Sequence, residues 1–238
     1  MTTLGIIGTG NIGSAVARLA VASGMNVILA NSRGPESLHG LVAELGILAK
    51  AGTVEEAASD GDAAVLSIPL LAVKDLSAGL LRDKIVLDTS NYYPFRDGRV
   101  TELDTESMTT SELVHGWLGG ARLVKAFNNI FAEHIPLLSR PSGAADRSAL
   151  PIASDDGEAK SVAAAIIDRL GFDTVDAGAL SESWKFEPES TGYTRIYLAD
   201  PHTPDDQLLS SEAAPTSAEQ VNAALASATR VKVADRLF

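Results

Sequence analysis

Cysteine is absent from this 238-residue chain, which rules out disulfides and thiol chemistry and accords with a cytoplasmic location. No apolar run approaches the roughly 18 residues that a membrane span requires, so no membrane partner is expected. The first strand pattern begins within a few residues of Met1, and no cleavable leader is read ahead of it. Basic residues are the minority, 19 Lys and Arg against 31 Asp and Glu, for a net charge of −12. A globally acidic surface without a basic cluster speaks against nucleic-acid binding. The histidines, His39, His115, His134 and His202, are scattered without metal-ligand spacing, and no metal is expected. H-x-E and G-x-S-x-G are missing too, so neither of those catalytic clusters is available. What remains is an ordinary globular composition, 45% hydrophobic and 21% charged. That length suits one α/β domain, or one domain plus an extension.

The most informative stretch stands at the start. Leu4 to Ile7 is a short apolar run, and Gly8, Thr9, Gly10, Asn11, Ile12 and Gly13 follow it. Ser14 to Gly24 then carries Ala15, Val16, Leu19, Ala20 and Val21 at helical spacing. A strand that opens through G-x-G-x-x-G into a helix is the beginning of a dinucleotide-binding βαβ unit. Gly8 serves the tight turn, Gly10 the approach of backbone to a pyrophosphate, and Gly13 the close packing of helix on strand. The free N–H groups at the helix start complete an anion site.

Beyond Gly24, Met25 to Ala30 predicts a buried parallel strand. About 20 positions past the glycines an NAD site places a carboxylate for the ribose hydroxyls, whereas an NADP site places a cation. Asn31, Ser32 and Arg33 stand there without a carboxylate, and Arg33 with the Ser32 hydroxyl suits a 2′-phosphate. The competing role for Arg33 is to cap the helix between Pro35 and Gly46.

Thr53 and Glu56 form a capping box for a helix over Glu55 to Ser59. Ala63 to Ile68 is the next buried strand, stopped by Pro69. Ser67, Ile68 and Pro69 are therefore expected at the carboxyl edge of the sheet, where ligands lie in open α/β folds. Residues 70–82 read as a crossover helix through Leu71, Val73, Leu76, Leu80 and Leu81. Ile85 to Leu87 is a strand that runs into the polar segment Asp88 to Pro94, which either faces a ligand or makes a solvated turn. Thr109 and Glu112 form a second capping box, Gly119 and Gly120 end that helix, and Arg122 to Phe127 is a further strand. Five or six parallel strands alternating with helices define an α/β fold, doubly wound, with a mostly parallel sheet.

Pro141 to Arg147 is a polar loop that separates residues 1–140, the dinucleotide-binding part, from a C-terminal extension over 150–238. The extension reads as a strand over Leu150 to Ala153, a helix opened by Asp155 and Glu158 and closed by Gly171, and a strand over Phe172 to Asp176. This β-α-β unit is expected to continue the same sheet. Asp200 to Thr216 reads as an exposed loop. Ser217 and Gln220 cap a last helix whose stripe of Val221, Leu225, Ala228 and Val231 closes its own domain or leaves a homodimer open.

Residues 5–20, the Asn31-Ser32-Arg33 junction, residues 123–130 and residues 152–193 together resemble the coenzyme F420-dependent NADP oxidoreductases. That family shares its Rossmann core with pyrroline-carboxylate and imine reductases and with metalloreductase domains. The resemblance implies NADP(H) with its pyrophosphate over Thr9 to Ile12 and its 2′-phosphate at Ser32 and Arg33. It implies a nicotinamide near Ser67, Ile68 and Pro69 and near Ala126 and Asn128. It also implies a deazaflavin pocket lined by Asn91 and the segment around Trp184.

Hydride transfer between two heterocycles needs alignment and dryness rather than a protein nucleophile. The function expected is thus hydride exchange between NADPH and a second small-molecule redox partner, coenzyme F420 first. A rival is reduction of an imine or carbonyl, with Lys125, Lys185 or Tyr193 as proton donor and Tyr193 the best placed of the three. A third reading is a protein that senses NADP(H) without turnover.

Overall fold

The computed structural model describes residues 2–236. Its first half alternates strand and helix as follows: β1 (Thr3–Ile7), α1 (Asn11–Ala22), β2 (Asn26–Ala30), α2 (His39–Leu45), β3 (Ala49–Ala51), α3 (Val54–Asp60), β4 (Ala63–Leu66) and β5 (Ile85–Asp88). Two one-turn helices, α4 (Pro94–Asp97) and α5 (Thr101–Asp104), then lead to α6 (Thr110–Leu118) and β6 (Arg122–Lys125). The six strands form one parallel sheet in the order β3-β2-β1-β4-β5-β6. That is the doubly wound order, with the reversal between β1 and β4.

Both faces are covered, so successive strand residues enter opposite core layers. Leu4, Ile6, Val27, Leu29, Val65, Leu87 and Val124 pack under α1 and its neighbours. Ile7, Ile28, Ala30, Ala64, Leu66, Val86 and Leu123 pack on the α3 and α6 side. On that second face a Cβ at Gly5 would lie 2.0 Å from the Ala57 carbonyl, so the lack of a side chain lets α3 sit directly on β1.

The register fixes the ligand edge. Ala30, Ile7, Leu66, Asp88 and Lys125 lie in one row across the strand ends. The chain leaves that row at Asn31, Gly8, Ser67, Thr89 and Ala126, side by side. Their amides still hold the neighbouring strand, as in Gly8 N–H to Ala30 O at 2.9 Å and Ser67 N–H to Ile7 O at 2.8 Å.

Two segments depart from the sequence reading. Leu70–Asp75 is a 3-10 helix, and residues 76–82 are turns rather than a continued crossover helix. Leu76 is extended and Gly79 adopts φ +74°, so the leucines pack from turns instead of from one helical stripe. The extension comprises α7 (His134–Leu138), β7 (Ala149–Ile152), α8 (Gly157–Arg169), β8 (Asp173–Asp176) and α9 (Ala218–Ala226). Here β7 and β8 pair with each other, in parallel, as a separate two-stranded sheet. It meets the main sheet through one antiparallel bridge, Lys125 to Ala153, because the chain enters β7 against the direction of β6. Asp156, not Asp155, caps α8. The three capping boxes at Thr53, Thr109 and Ser217 are all formed.

Candidate functional site

Gly8 leaves β1 at φ +99°, and a Cβ there would lie 2.1 Å from Ser67 O. At Gly13 a Cβ would meet Gly8 O at 1.9 Å, so turn and helix interlock only as glycines. Gly10 differs. A Cβ at Gly10 would have no neighbour within 4 Å, and its flank faces open space. Gly10 is also the N-cap of α1, with no side-chain cap and no acidic residue in the first turn. The first intrahelical bond runs from Ser14 N–H to Gly10 O at 2.9 Å, which leaves the amides of Asn11, Ile12 and Gly13 outside the helical ladder. Positive dipole, free donors and bare backbone meet at one spot, which fits a pyrophosphate.

A cleft of about 450 Å³ opens beside this turn, lined by Gly8, Thr9, Gly10, Asn31, Ser32 and Arg33 on one side. Ser67, Ile68, Pro69 and the apolar side chains of Val54, Ala72 and Leu76 complete it, with Asp75 at the rim. Asn31 organises the far end. Its amide donates to Thr9 Oγ1 at 3.3 Å and Ser37 Oγ at 3.0 Å, while its Oδ1 accepts from Arg33 N–H at 2.9 Å. The exposed Arg33 guanidinium makes no ion pair among the described residues and is available to an anion. Val54, Ala72, Asp75 and Leu76 were not singled out by sequence reasoning. The Thr53 capping box, which points the start of α3 at the cleft, is the signal for Val54. The other three sit in the segment read as a long helix, whose 3-10 form turns them inward.

On the other flank of the turn a second space of about 370 Å³ runs past Thr9, Gly10, Asn11 and Ser14 to Ala132, Glu133 and Pro136. Next to Ala132, Phe131 belongs to a third, a chamber of about 390 Å³ lined also by Tyr93, Pro188, Glu189, Tyr193, Thr194, Arg195 and Leu208. The three spaces follow the carboxyl edge from the end of β2 to beyond β6.

Asn91 and Asn128 form the wall behind the chamber. Asn91 donates to Asn128 O at 2.7 Å, and Asn128 donates to Asn91 Oδ1 at 3.1 Å and to Phe186 O at 2.9 Å. Asn128 Oδ1 is buried without a partner. The Asn91 amide also reaches the hydroxyls of Tyr93 at 3.3 Å and Tyr193 at 3.2 Å, which lie 2.5 Å from each other. Burial, reinforced by the Tyr93 hydroxyl, pushes the Tyr193 phenol well above its usual range, so it stays protonated through the neutral region. Ala126 is fully buried, and Ile12 and Gly13 lie within α1.

The structure also separates the other candidate proton donors. Lys125 is wholly inaccessible; it pairs with Asp88 at 3.3 Å and donates to Ser90 O, while Ser111 Oγ donates to the same carboxylate at 2.7 Å. Lys185 pairs with Glu182 at 2.6 Å, away from the chamber. Trp184 lines a separate small pocket with Arg230 rather than the chamber. Arg236, near the end of the chain, was not anticipated. It is buried and donates to Tyr92 O at 3.2 Å and Pro188 O at 3.0 Å, strapping the chamber wall to the first half of the protein.

A parallel sheet with a glycine turn, an uncapped helix start and a free arginine beyond β2 defines a dinucleotide-binding protein. The family described as NADP oxidoreductase, coenzyme F420-dependent, matches residues 3–92, the stretch that carries the glycine turn, Arg33 and strands β1 to β5. A hypothetical protein of Sinorhizobium meliloti is 33% identical over 77% of this chain and 88% of its own, with a TM-score of 0.66. A proposed F420-dependent NADP reductase from Arthrobacter sp. FB24 shares the fold, with 20% identity and a TM-score of 0.64 over 77% of this chain and 87% of its own. The glyoxylate reductase of Thermococcus gammatolerans is 35% identical over 122 residues, 51% of this chain. The match takes in 34% of that enzyme, so this chain spans about a third of the length of such curated relatives.

Proposed function

We propose that this protein holds NADP(H) along the carboxyl edge and exchanges a hydride between it and a second small-molecule redox partner seated in the tyrosine-lined chamber. A 5-deazaflavin of the coenzyme F420 type is the first choice of partner, on the strength of the family match over residues 3–92. The observation that carries the reading is the open flank of Gly10 above the uncapped start of α1, with Arg33 free at the far end and no carboxylate in its place.

When bound, NADPH supplies the hydride. The amides of Asn11 to Gly13 take the pyrophosphate, and Ser32 and Arg33 take the 2′-phosphate by charge-assisted hydrogen bonds. Val54, Ala72 and Leu76 give the adenine end an apolar slot, and Ser67, Ile68 and Pro69 lie on the way to the nicotinamide. Asn91 and Asn128 brace the wall at the reacting end, where rigid placement and exclusion of water supply the rate. In this reading residues 1–140 carry the cofactor, and residues 150–238 add Pro188 to Leu208 to close the chamber. Anaerobic mixing with NADPH and oxidised F420 tests the assignment. Loss of the deazaflavin's visible absorbance is the expected result, and an unchanged spectrum at saturating NADPH contradicts the deazaflavin as partner.

A further inference from the structure

The hydroxyls of Tyr93 and Tyr193 carry two protons between them. One is used in their mutual hydrogen bond. Their remaining partner is the Asn91 amide nitrogen, a donor. The orientation of that amide is fixed, because its nitrogen faces the Asn128 carbonyl and its oxygen accepts from the Asn128 amide. Among the described residues, then, the second proton has no acceptor, and both tyrosines line the chamber. Two phenols and an amide donor converging on one spot present a surplus of donors to whatever enters.

The charges around the chamber narrow that ligand. Arg195 pairs with Asp205 and donates to Pro201 O at 2.9 Å and Thr203 O at 2.7 Å. Arg96 is engaged with Asp97 at 2.8 Å and donates to Asn91 O at 2.8 Å, and Arg236 holds two backbone carbonyls. The cations nearby are thus committed to protein partners. Glu189 lines the space at φ +69°, an uncommon conformation for a residue with a side chain, and makes no ion pair among the described residues. Tyr93, Phe131, Pro188 and Leu208 supply apolar walls. An anionic group inside the chamber, unlike the charged tail of a coenzyme that reaches out of it, would meet a carboxylate without a free cation.

We infer that the Tyr93–Tyr193 pair is a proton-donating subsite for an uncharged carbonyl or imine compound with an apolar body, giving the protein a reductase activity beyond exchange between two coenzymes. This deepens the hydride-transfer reading and rests on it. In the reaction a reduced nicotinamide delivers hydride to the carbon of the C=O or C=N group, and the π pair moves onto oxygen or nitrogen. That atom takes the spare phenolic proton as the new O–H or N–H bond forms. The tyrosine pair is left one proton short and recovers it from solvent, while the nicotinamide leaves oxidised.

Three benzene derivatives test this. Benzamide is a neutral carbonyl that is not reduced, benzoate is its anionic counterpart, and benzaldehyde is the reactive form. Calorimetry on the wild-type chain with NADP⁺ is expected to show benzamide bound and benzoate bound at least about tenfold more weakly. NADPH oxidation with benzaldehyde is expected to proceed. In the double variant Tyr93→Phe/Tyr193→Phe, benzamide affinity is expected to fall about tenfold, the loss of one hydrogen bond, and turnover by about 10²-fold or more. NADPH affinity should stay unchanged. Each single variant keeps one hydroxyl with an unmatched proton and is expected to fall between. Benzamide binding no better than benzoate, or a folded double variant indistinguishable from wild type, overturns the inference. The comparison of the two ligands needs no variant at all. Failure to bind NADPH would instead strike the cofactor reading, so the two outcomes are separable.

Discussion

Gly8, Gly10 and Gly13 answer to three different neighbours. Gly8 and Gly13 are required by protein, since added Cβ atoms would lie 2.1 Å and 1.9 Å from carbonyl oxygens. Gly10 is required by nothing in the protein. Gly13→Ala is therefore expected to lower folding stability by about 2 kcal/mol or more through overpacking against backbone. Gly10→Ala is expected to melt like wild type and to lose about tenfold or more in NADPH affinity, because its methyl group occupies the ground of the pyrophosphate. Parallel thermal melts and calorimetric titrations check both, and an unchanged Kd for Gly10→Ala would contradict the placement. These three glycines were legible in the sequence because the motif combines turn, approach and packing at fixed spacing. Gly5 was not, since its partner Ala57 lies on an element 50 residues away, and no local pattern announces that contact. Tyr193 stood out as a candidate, but its pairing with Tyr93 across 100 residues is a product of the fold.

At the scale of elements, strands and capped helices were read well and crossovers poorly. Capping boxes are local chemistry, and all three formed. The segment over residues 70–82 has helical leucine spacing, but Ser77 and Gly79 favour turns and tertiary packing decides. The β7-α8-β8 unit was visible in the pattern, while its separate pairing was not, because strand direction depends on how the loop after β6 runs. Several side chains tie this unit to the main sheet, Ser154 to Leu123 O and Arg122 to Glu158 and Asp156 among them. Asp156 caps α8 through Ala159 N–H at 2.9 Å and accepts from Arg122 of β6 at 2.6 Å. The Arg122 guanidinium, aided by the cap, holds the Asp156 carboxyl well below the usual carboxylate range. A depressed folded-state pKa contributes stability above the unfolded value of about 3.9, and that contribution is lost as pH falls toward the folded value. Urea midpoints measured from about pH 6 down to pH 2 are thus expected to drop less steeply for Asp156→Asn than for wild type. Asparagine keeps the cap and removes the charge, so an equal slope would show that the pair does not couple to folding.

For the molecule as a whole, one register row does most of the positioning. It brings Asn31, Gly8, Ser67, Thr89 and Ala126 to a single edge from five strands, and the glycine turn, Arg33 and the chamber follow that edge. The α/β class and the carboxyl-edge location were legible because parallel strands run as short apolar segments that end in polar or glycine-containing turns. The chamber was only partly legible. It is assembled from residues after β5, after β6 and from 188–208, and it is strapped by Arg236, contacts that exist only once the chain has folded. The net charge of −12 adds a constraint, since a phosphate-rich cofactor must be attracted locally, by α1 and Arg33, against the field of the whole protein.

The most direct measurement is calorimetric titration of the wild-type chain and of Arg33→Ala with NADPH and with NADH. NADPH is expected to bind wild type at least about tenfold more tightly than NADH, and the variant to bind both alike, an effect of about 1.5 to 3 kcal/mol for a hydrogen-bonded charge. Wild type that binds neither dinucleotide at about 1 mM, an affinity weaker than about −4 kcal/mol, would contradict the account at its root.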